Sequence, residues 1–111
     1  MIAKHARLVV GRLAESDLTN LAVWTAENFG TRQAEVYVDA LLAAIDELVL
    51  DPFIARSKAR DELAPGMRSL HMAKRGRRGR HLILYLVNER SITIVRILHD
   101  SMELARHMPQ D

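Results

Sequence analysis

The chain has 111 residues, nearly half of them apolar, a net charge of +2 and no cysteine. This suits one domain (residues 1–111) with a core of its own, and it excludes disulfides and thiolate metal sites. No stretch is long and apolar enough to span a bilayer, and no apolar run of signal-peptide length follows the first residues, so a cytoplasmic location is expected.

Residues 6–10 (Ala-Arg-Leu-Val-Val) have the content of a short strand, which Gly11 and Arg12 are expected to end. A helix is predicted from Leu13 or Ser16 to Asn28. Its apolar stripe is Leu18, Leu21, Ala22, Thr25 and Phe29, which recur at helical spacing. Gly30 stands where a left-handed C-terminal cap is expected, and Thr31 is the expected N-cap of a second, longer helix. The apolar face of that helix is Ala34, Tyr37, Val38, Leu41, Leu42, Ile45, Leu48 and Val49. Asp51-Pro52 closes it, because proline disfavours helical geometry in the residue before it. With Gly30 and Thr31 alone between them, the helices should form an antiparallel hairpin that covers one face of a sheet.

Residues 53–64 read as a loop and Pro65-Gly66 as a turn. Residues 67–72 alternate enough for a second strand, and a basic loop over 73–79 follows. The strongest local signal is next: Arg-His-Leu-Ile-Leu-Tyr-Leu-Val, a polar break at Asn88-Glu89-Arg90, then Ser-Ile-Thr-Ile-Val-Arg-Ile-Leu-His. Two β-branched and aliphatic runs split by a short polar turn predict a hairpin. Strict alternation puts Leu82, Leu84 and Leu86 on one face and Ile83, Tyr85 and Val87 on the other. In the second run it groups Ile92, Ile94, Arg96 and Leu98 against Thr93, Val95, Ile97 and His99. Both faces are largely apolar and need covering. The helices supply one cover, and the other is expected from another chain. Residues 101–108 are predicted to form a short helix capped by Asp100 or Ser101. The order β-α-α-β-β-β with a short C-terminal helix defines an α+β fold, an antiparallel β-sheet packed on an αα-hairpin.

Charge is unevenly spread. Lys74, Arg75, Arg77, Arg78 and Arg80 crowd one stretch, while the acids Glu15, Asp17, Glu27, Glu35, Asp39, Asp46, Glu47 and Asp51 concentrate on the helical part. Such a basic patch attracts nucleic acid or an acidic protein, or is simply a solvated loop. It has cations for phosphates but no interleaved aromatic for base stacking. Direct nucleic-acid binding is therefore not the expected primary role.

Metal-free phosphodiester cleavage needs a base, an acid and cations. The candidates are Arg68, His71, His81, Tyr85, Arg96, His99, Arg106 and His107. No clustered Lys, Arg and Tyr set follows the last strand, and Tyr85 reads as a core residue. Histidine spacing gives no metal site. Arg-Gly-Arg-Arg-Gly-Arg lacks the strand-to-helix context of a phosphate loop, and no serine sits in a nucleophile elbow. No cofactor is expected. Arg96 interrupts an apolar run, so it must be paired or open to solvent: either a salt bridge to a helix acid or a contact with a partner's carboxylate. Arg68 carries the same two readings, and His99 is either a structural histidine or part of a functional surface.

Asp17-Leu18, Trp24-Thr25, Phe29-Gly30, Gln33-Ala34, Tyr37, Pro52, Leu63, Gly66-Met67-Arg68, the His81 and Tyr85 pair, and Ile94-Val95-Arg96-Ile97-Leu98-His99 followed by Met102 occur in an order and spacing that resemble the ParE toxins of the RelE/ParE superfamily. The similarity covers nearly the whole chain. Met67 departs from it, standing where an aromatic is usual, and the stretch 74–80 is longer and more basic than the usual turn. The resemblance implies a RelE/ParE-like fold and the toxin of a type II toxin–antitoxin system. Such a toxin inhibits DNA gyrase by binding, is not an enzyme, and is neutralised by a ParD-like antitoxin; the alternative is a RelE-like ribosome-dependent mRNA endonuclease. On this reading Arg68, Arg80, Arg96, His99, Met102 and Arg106 contact antitoxin or target, beside the basic-loop residues Lys74, Arg75, Arg77 and Arg78. Nucleic acid is then met only through the antitoxin.

Overall fold

A computed structural model of the chain describes residues 7–73 and 79–109. The elements are β1 (Arg7–Val10), α1 (Arg12–Phe29), α2 (Thr31–Leu50), β2 (Lys58–Ala59), β3 (Met67–His71), β4 (His81–Val87), β5 (Ser91–His99) and a 3₁₀ turn, Leu104–His107. They build a five-stranded sheet in the order β1-β5-β4-β3-β2. The sheet is mixed rather than antiparallel: β1 runs parallel to β5, and the other neighbours are antiparallel. Parallel neighbours need a long crossover, and everything from α1 to β4 supplies it. The composition of a four-residue edge strand does not reveal its direction.

Helix α1 begins at Arg12, one residue after β1, because Gly11 carries the chain past β5 at close range. Its N–H donates to the Ile94 carbonyl at 2.9 Å, and a Cβ at Gly11 would sit 3.0 Å from that oxygen. The buried stripe is Ala14, Leu21 and Thr25, with Leu18 packed against the core; Phe29, predicted to share it, is 65% exposed. Gly30, at φ +96°, ends α1 and begins α2. This conformation is open to glycine at little strain, and a single linking residue folds the helices back on each other. The cap of α2 is thus Gly30, and Thr31 is already helical. Helix α2 buries Ala34, Leu41, Ala44, Ile45 and Leu48 and ends before Asp51-Pro52 as predicted, while Leu42 faces outward.

The sheet's helix-covered face carries Leu70, Ile83, Tyr85, Ile92, Ile94 and Ile97, packed with the α1 and α2 stripes. The buried Tyr85 donates its hydroxyl to the Pro52 carbonyl at 2.6 Å, tying β4 to the end of the helical hairpin. Strict alternation fails in β5. Leu84 pairs with Arg96 but Tyr85 with Ile94, so Val95 is an extra residue, a β-bulge. One inserted residue exchanges the faces of everything after it. Ile97 therefore joins Ile92 and Ile94 under the helices, while Arg96 and Leu98 leave that face.

The opposite face is not waiting for another chain. Met67, Leu82 and Leu84 are buried there beneath Leu63, Ala64, Leu104 and Met108. The segment read as loop supplies Leu63 and Ala64 and also contains β2. The predicted C-terminal helix is the 3₁₀ turn over Leu104–His107, entered at Glu103 rather than capped by Asp100 or Ser101. The large apolar side chains left exposed sit mostly on the helices, among them Val23, Trp24, Phe29, Val36 and Leu50.

Candidate functional site

Strand β1 pairs with β5 only from Ser91 to Ile94, and the outer edge of β5 beyond Ile94 meets α1 instead. There the Asp17 carboxylate accepts the Ile97 N–H at 2.9 Å and two guanidinium bonds from Arg96, Nε and Nη2, each at 2.8 Å. Arg96 Nη1 donates to the His107 carbonyl at 2.9 Å. The two side chains are only 17% and 14% exposed. The bonds to Asp17 hold the Arg96 proton more tightly than usual, against the opposing effect of burial. One guanidinium thus joins helix, sheet edge and C-terminal turn, so of its two readings Arg96 makes the intramolecular pairing.

Beside this clamp a groove opens between the helices and the His81/His99 end of the sheet. His81 and His99 are cross-strand partners, with ring centroids 5.4 Å apart and edge to face. The Tyr37 hydroxyl of α2 lies 3.0 Å from His81 Nδ1. Burial raises the Tyr37 pKa. Burial also lowers that of His81, as do His99 and His71, while Asp100 opposes them. Gly79 packs closely against Tyr37: a Cβ there would sit 2.9 Å from the phenol oxygen and 3.0 Å from Met72 Cβ. Asp100 accepts from His71 Nε2 at 2.9 Å and Arg80 Nε at 3.2 Å, which hold its carboxyl below the usual range. Trp24 and Phe29, with centroids 5.8 Å apart, form the opposite rim. The groove has a volume of about 580 Å³ and continues past Leu21 into a hollow that Arg96 and Met102 help to line.

Of the residues singled out from sequence, Arg80, His99 and Met102 border this region, with Arg96 behind them. Arg68 stands away from it, opposite Tyr85 on β4. It donates to Ser57 Oγ through Nε and Nη2 and lies 5.1 Å over the Phe53 ring. Arg106 pairs with Glu103 at the exposed 3₁₀ turn. Lys74, Arg75, Arg77 and Arg78 lie outside the described residues. The sequence reading did not select Trp24, Phe29, Tyr37, His81 or Asp100 as contact residues. The signal for Trp24 was its position beside the α1 stripe rather than on it, an unburied tryptophan on an amphipathic helix. Among the described residues no three His, Asp or Glu side chains are grouped to hold a metal ion.

This fold is that of toxins from toxin–antitoxin systems. The solved structure described as the chromosomal ParDE TA system from P. aeruginosa aligns with a TM-score of 0.71 at 20% identity, covering 87% of this chain and 98% of that one. The toxin–antitoxin complex RelBE2 from Mycobacterium tuberculosis aligns with a TM-score of 0.55 at 23% identity, covering 85% and 96%. Sequence narrows the class: the family model described as "ParE toxin of type II toxin-antitoxin system, parDE" matches residues 8–104, and the chain belongs to that family. Toxin ParE1 of Mycobacterium tuberculosis is 34% identical over 104 residues, covering 93% of this chain and 98% of the relative. Toxin ParE1 of Caulobacter vibrioides is 28% identical over 99 residues, covering 89% and 94%.

Proposed function

We propose that this ParE-family toxin acts in the cytoplasm by binding DNA gyrase, without chemistry of its own, and that a ParD-like antitoxin silences it. The observation that carries the binding reading is where the candidate catalytic cations lie. Metal-free phosphodiester cleavage needs a base, an acid and cations converging on one point. Of the candidates, His81 and His99 meet at the groove, where the cation beside them, Arg80, is paired with Asp100. Arg96 is held by Asp17 and His107, Arg68 sits at Ser57 and Phe53, and Arg106 faces Glu103 at an exposed turn. Purified toxin should block gyrase supercoiling in vitro, and full supercoiling at saturating toxin overturns the reading. The RelBE2 fold likeness gives the endonuclease its one support. Transcripts cut in arrested cells, with cutting abolished by Arg68→Ala or Arg106→Ala, would establish that alternative.

The antitoxin reading is supported by two toxin–antitoxin complexes of the same fold and by the apolar side chains exposed on the helical hairpin, a surface suited to a partner. Acidic antitoxin residues would meet Arg68, Arg80, His99 and Arg106, with Met102 as an apolar contact; Arg96 would act from behind by fixing the C-terminal turn. Expression of the chain alone should be toxic or give poorly soluble protein, and co-expression with the antitoxin should relieve both.

A further inference from the structure

The basic stretch lacks an aromatic in sequence, but the fold brings aromatics to its end. Three of the chain's five Phe, Trp and Tyr side chains, namely Trp24, Phe29 and Tyr37, line the groove that Arg80, His81 and His99 close from the sheet side. Trp24 and Phe29 are 55% and 65% exposed, side by side in an apolar patch of the kind that marks a binding surface. No carboxylate lines the groove among the described residues. Asp100, behind it, accepts from Arg80 and His71 and lies 3.6 Å from His99 Nδ1. Arg80 is 71% exposed on the rim. Flat apolar rings on one wall and, on the other, donors whose acidic neighbour Asp100 lies outside the groove match a ligand that is planar at one end and anionic at the other. A nucleotide of an unpaired strand is such a ligand: its base stacks on aromatic faces and its phosphate meets cations.

We propose that this groove binds a nucleotide of single-stranded DNA, with the base on Trp24 and Phe29 and the phosphate at Arg80 and His99. The choice of DNA over RNA rests on the gyrase reading, while the base-and-phosphate chemistry rests on the groove alone. Arg80 and His99 are also proposed contacts of acidic antitoxin residues, so strand and antitoxin would compete for these two side chains.

Trp24 is the only tryptophan of the chain, so its fluorescence reports directly on stacking, with no gyrase present. Titrating the full-length toxin with a short oligothymidylate should quench Trp24 saturably. Phe29→Ala should weaken binding about tenfold, within the range for loss of one stacking partner. Arg80→Gln should weaken it and lower the salt slope by about 0.7, one phosphate contact on a single strand. Both side chains are largely exposed, so the variants keep the fold. Absence of quenching overturns the proposal. So does equal affinity for an abasic strand or indifference to Phe29→Ala, which would leave charge alone as the cause. Tighter binding of the matching RNA overturns the assignment to DNA. Quenching by an acidic aromatic peptide at lower concentration than the oligonucleotide assigns the groove to a protein partner instead. Gyrase inhibition that persists when strand binding fails leaves the proposed target standing and removes only this inference.

Discussion

The two faces of the sheet are covered in different ways. One lies beneath two long helices joined by a single glycine, whose stripes bury against Ile83, Tyr85, Ile92 and Ile94. The other lies beneath a turn and a short tail, with Leu63, Ala64, Leu104 and Met108 over Met67, Leu82 and Leu84. The first cover is redundant, because a periodic stripe spreads its burial over many turns. The second depends on few contacts, one of them the Arg96 bond to the His107 carbonyl. Segments held by few contacts open locally at less free energy than the global transition, so the tail should loosen before the helices do.

The clamp is the sharpest test of that difference. Asp17→Ala removes the acceptor of Ile97 N–H and of two of the three Arg96 bonds, leaving a largely buried guanidinium without its counter-charge. The expected loss is about 3 kcal/mol by urea unfolding. Asp17→Ala combined with Arg96→Met should cost less than the two single changes added together, because the second substitution removes the orphaned charge. A loss near 0.5 kcal/mol, the level of an exposed pair, would show that the edge of β5 is not sealed by this carboxylate. Slightly smaller effects compare the faces directly. Leu41 and Leu84 are both 0% exposed, one on the buried stripe of α2 and one under the tail. Leu41→Ala and Leu84→Ala should each cost about 2–3 kcal/mol. A loss under about 1 kcal/mol for Leu84 alone would mean that the second face is open in solution and needs a partner after all.

The same contrast governs what could be read from the sequence. Period-3.6 stripes, the Gly30 break and the Asp51-Pro52 stop made the helical hairpin legible, and the β-branched runs made β4 and β5 legible, because each signal is local. The Val95 bulge was not. Nothing in Ile-Val-Arg-Ile distinguishes an extra residue from the next step of alternation; the tertiary bond from Asp17 to Ile97 N–H accompanies it. Missing it put Arg96 and Leu98 on the wrong face and made the second face look uncovered. Leu63, Leu104 and Met108 are single apolar residues in polar surroundings, without the period that marks a cover. At the groove, Arg80 and His99 were legible as charge at a strand end. Trp24, Phe29 and Tyr37 carried family resemblance but no visible link to them, since that link is the packing of α1 and α2 on β4 and β5.

A milder change probes the tail alone. Leu104 is partly buried against the second face, and Leu104→Ala removes apolar area worth about 1 kcal/mol. The unfolding midpoint should fall modestly, while binding of a hydrophobic dye to the folded state rises and amide exchange speeds up in β5 near Arg96 but not in α2. Faster exchange across both helices would mean that the two covers open together.

The smallest effect is expected from pH, and it falls on the helix-covered face. His81 has a pKa below its ordinary 6.5, chiefly through burial and then through His99, so the fold favours the neutral ring. Its contribution to stability is fully present above about pH 6.5 and is lost as pH falls through the folded-state value. Asp100, also lowered, contributes above its ordinary 3.8 and is lost only in more acidic solution. The two losses therefore act in the same direction in different windows. Stability should decline gently from about pH 7 to about pH 5, the range of histidine titration, before carboxylate protonation begins. His81→Asn puts an amide near the Nδ1 position, keeps a partner for Tyr37 and removes the titrating ring. Its unfolding free energy should be flatter than that of the wild type across that interval and parallel to it below. An identical slope in the variant would detach Tyr37 and His81 from any part in the acid sensitivity.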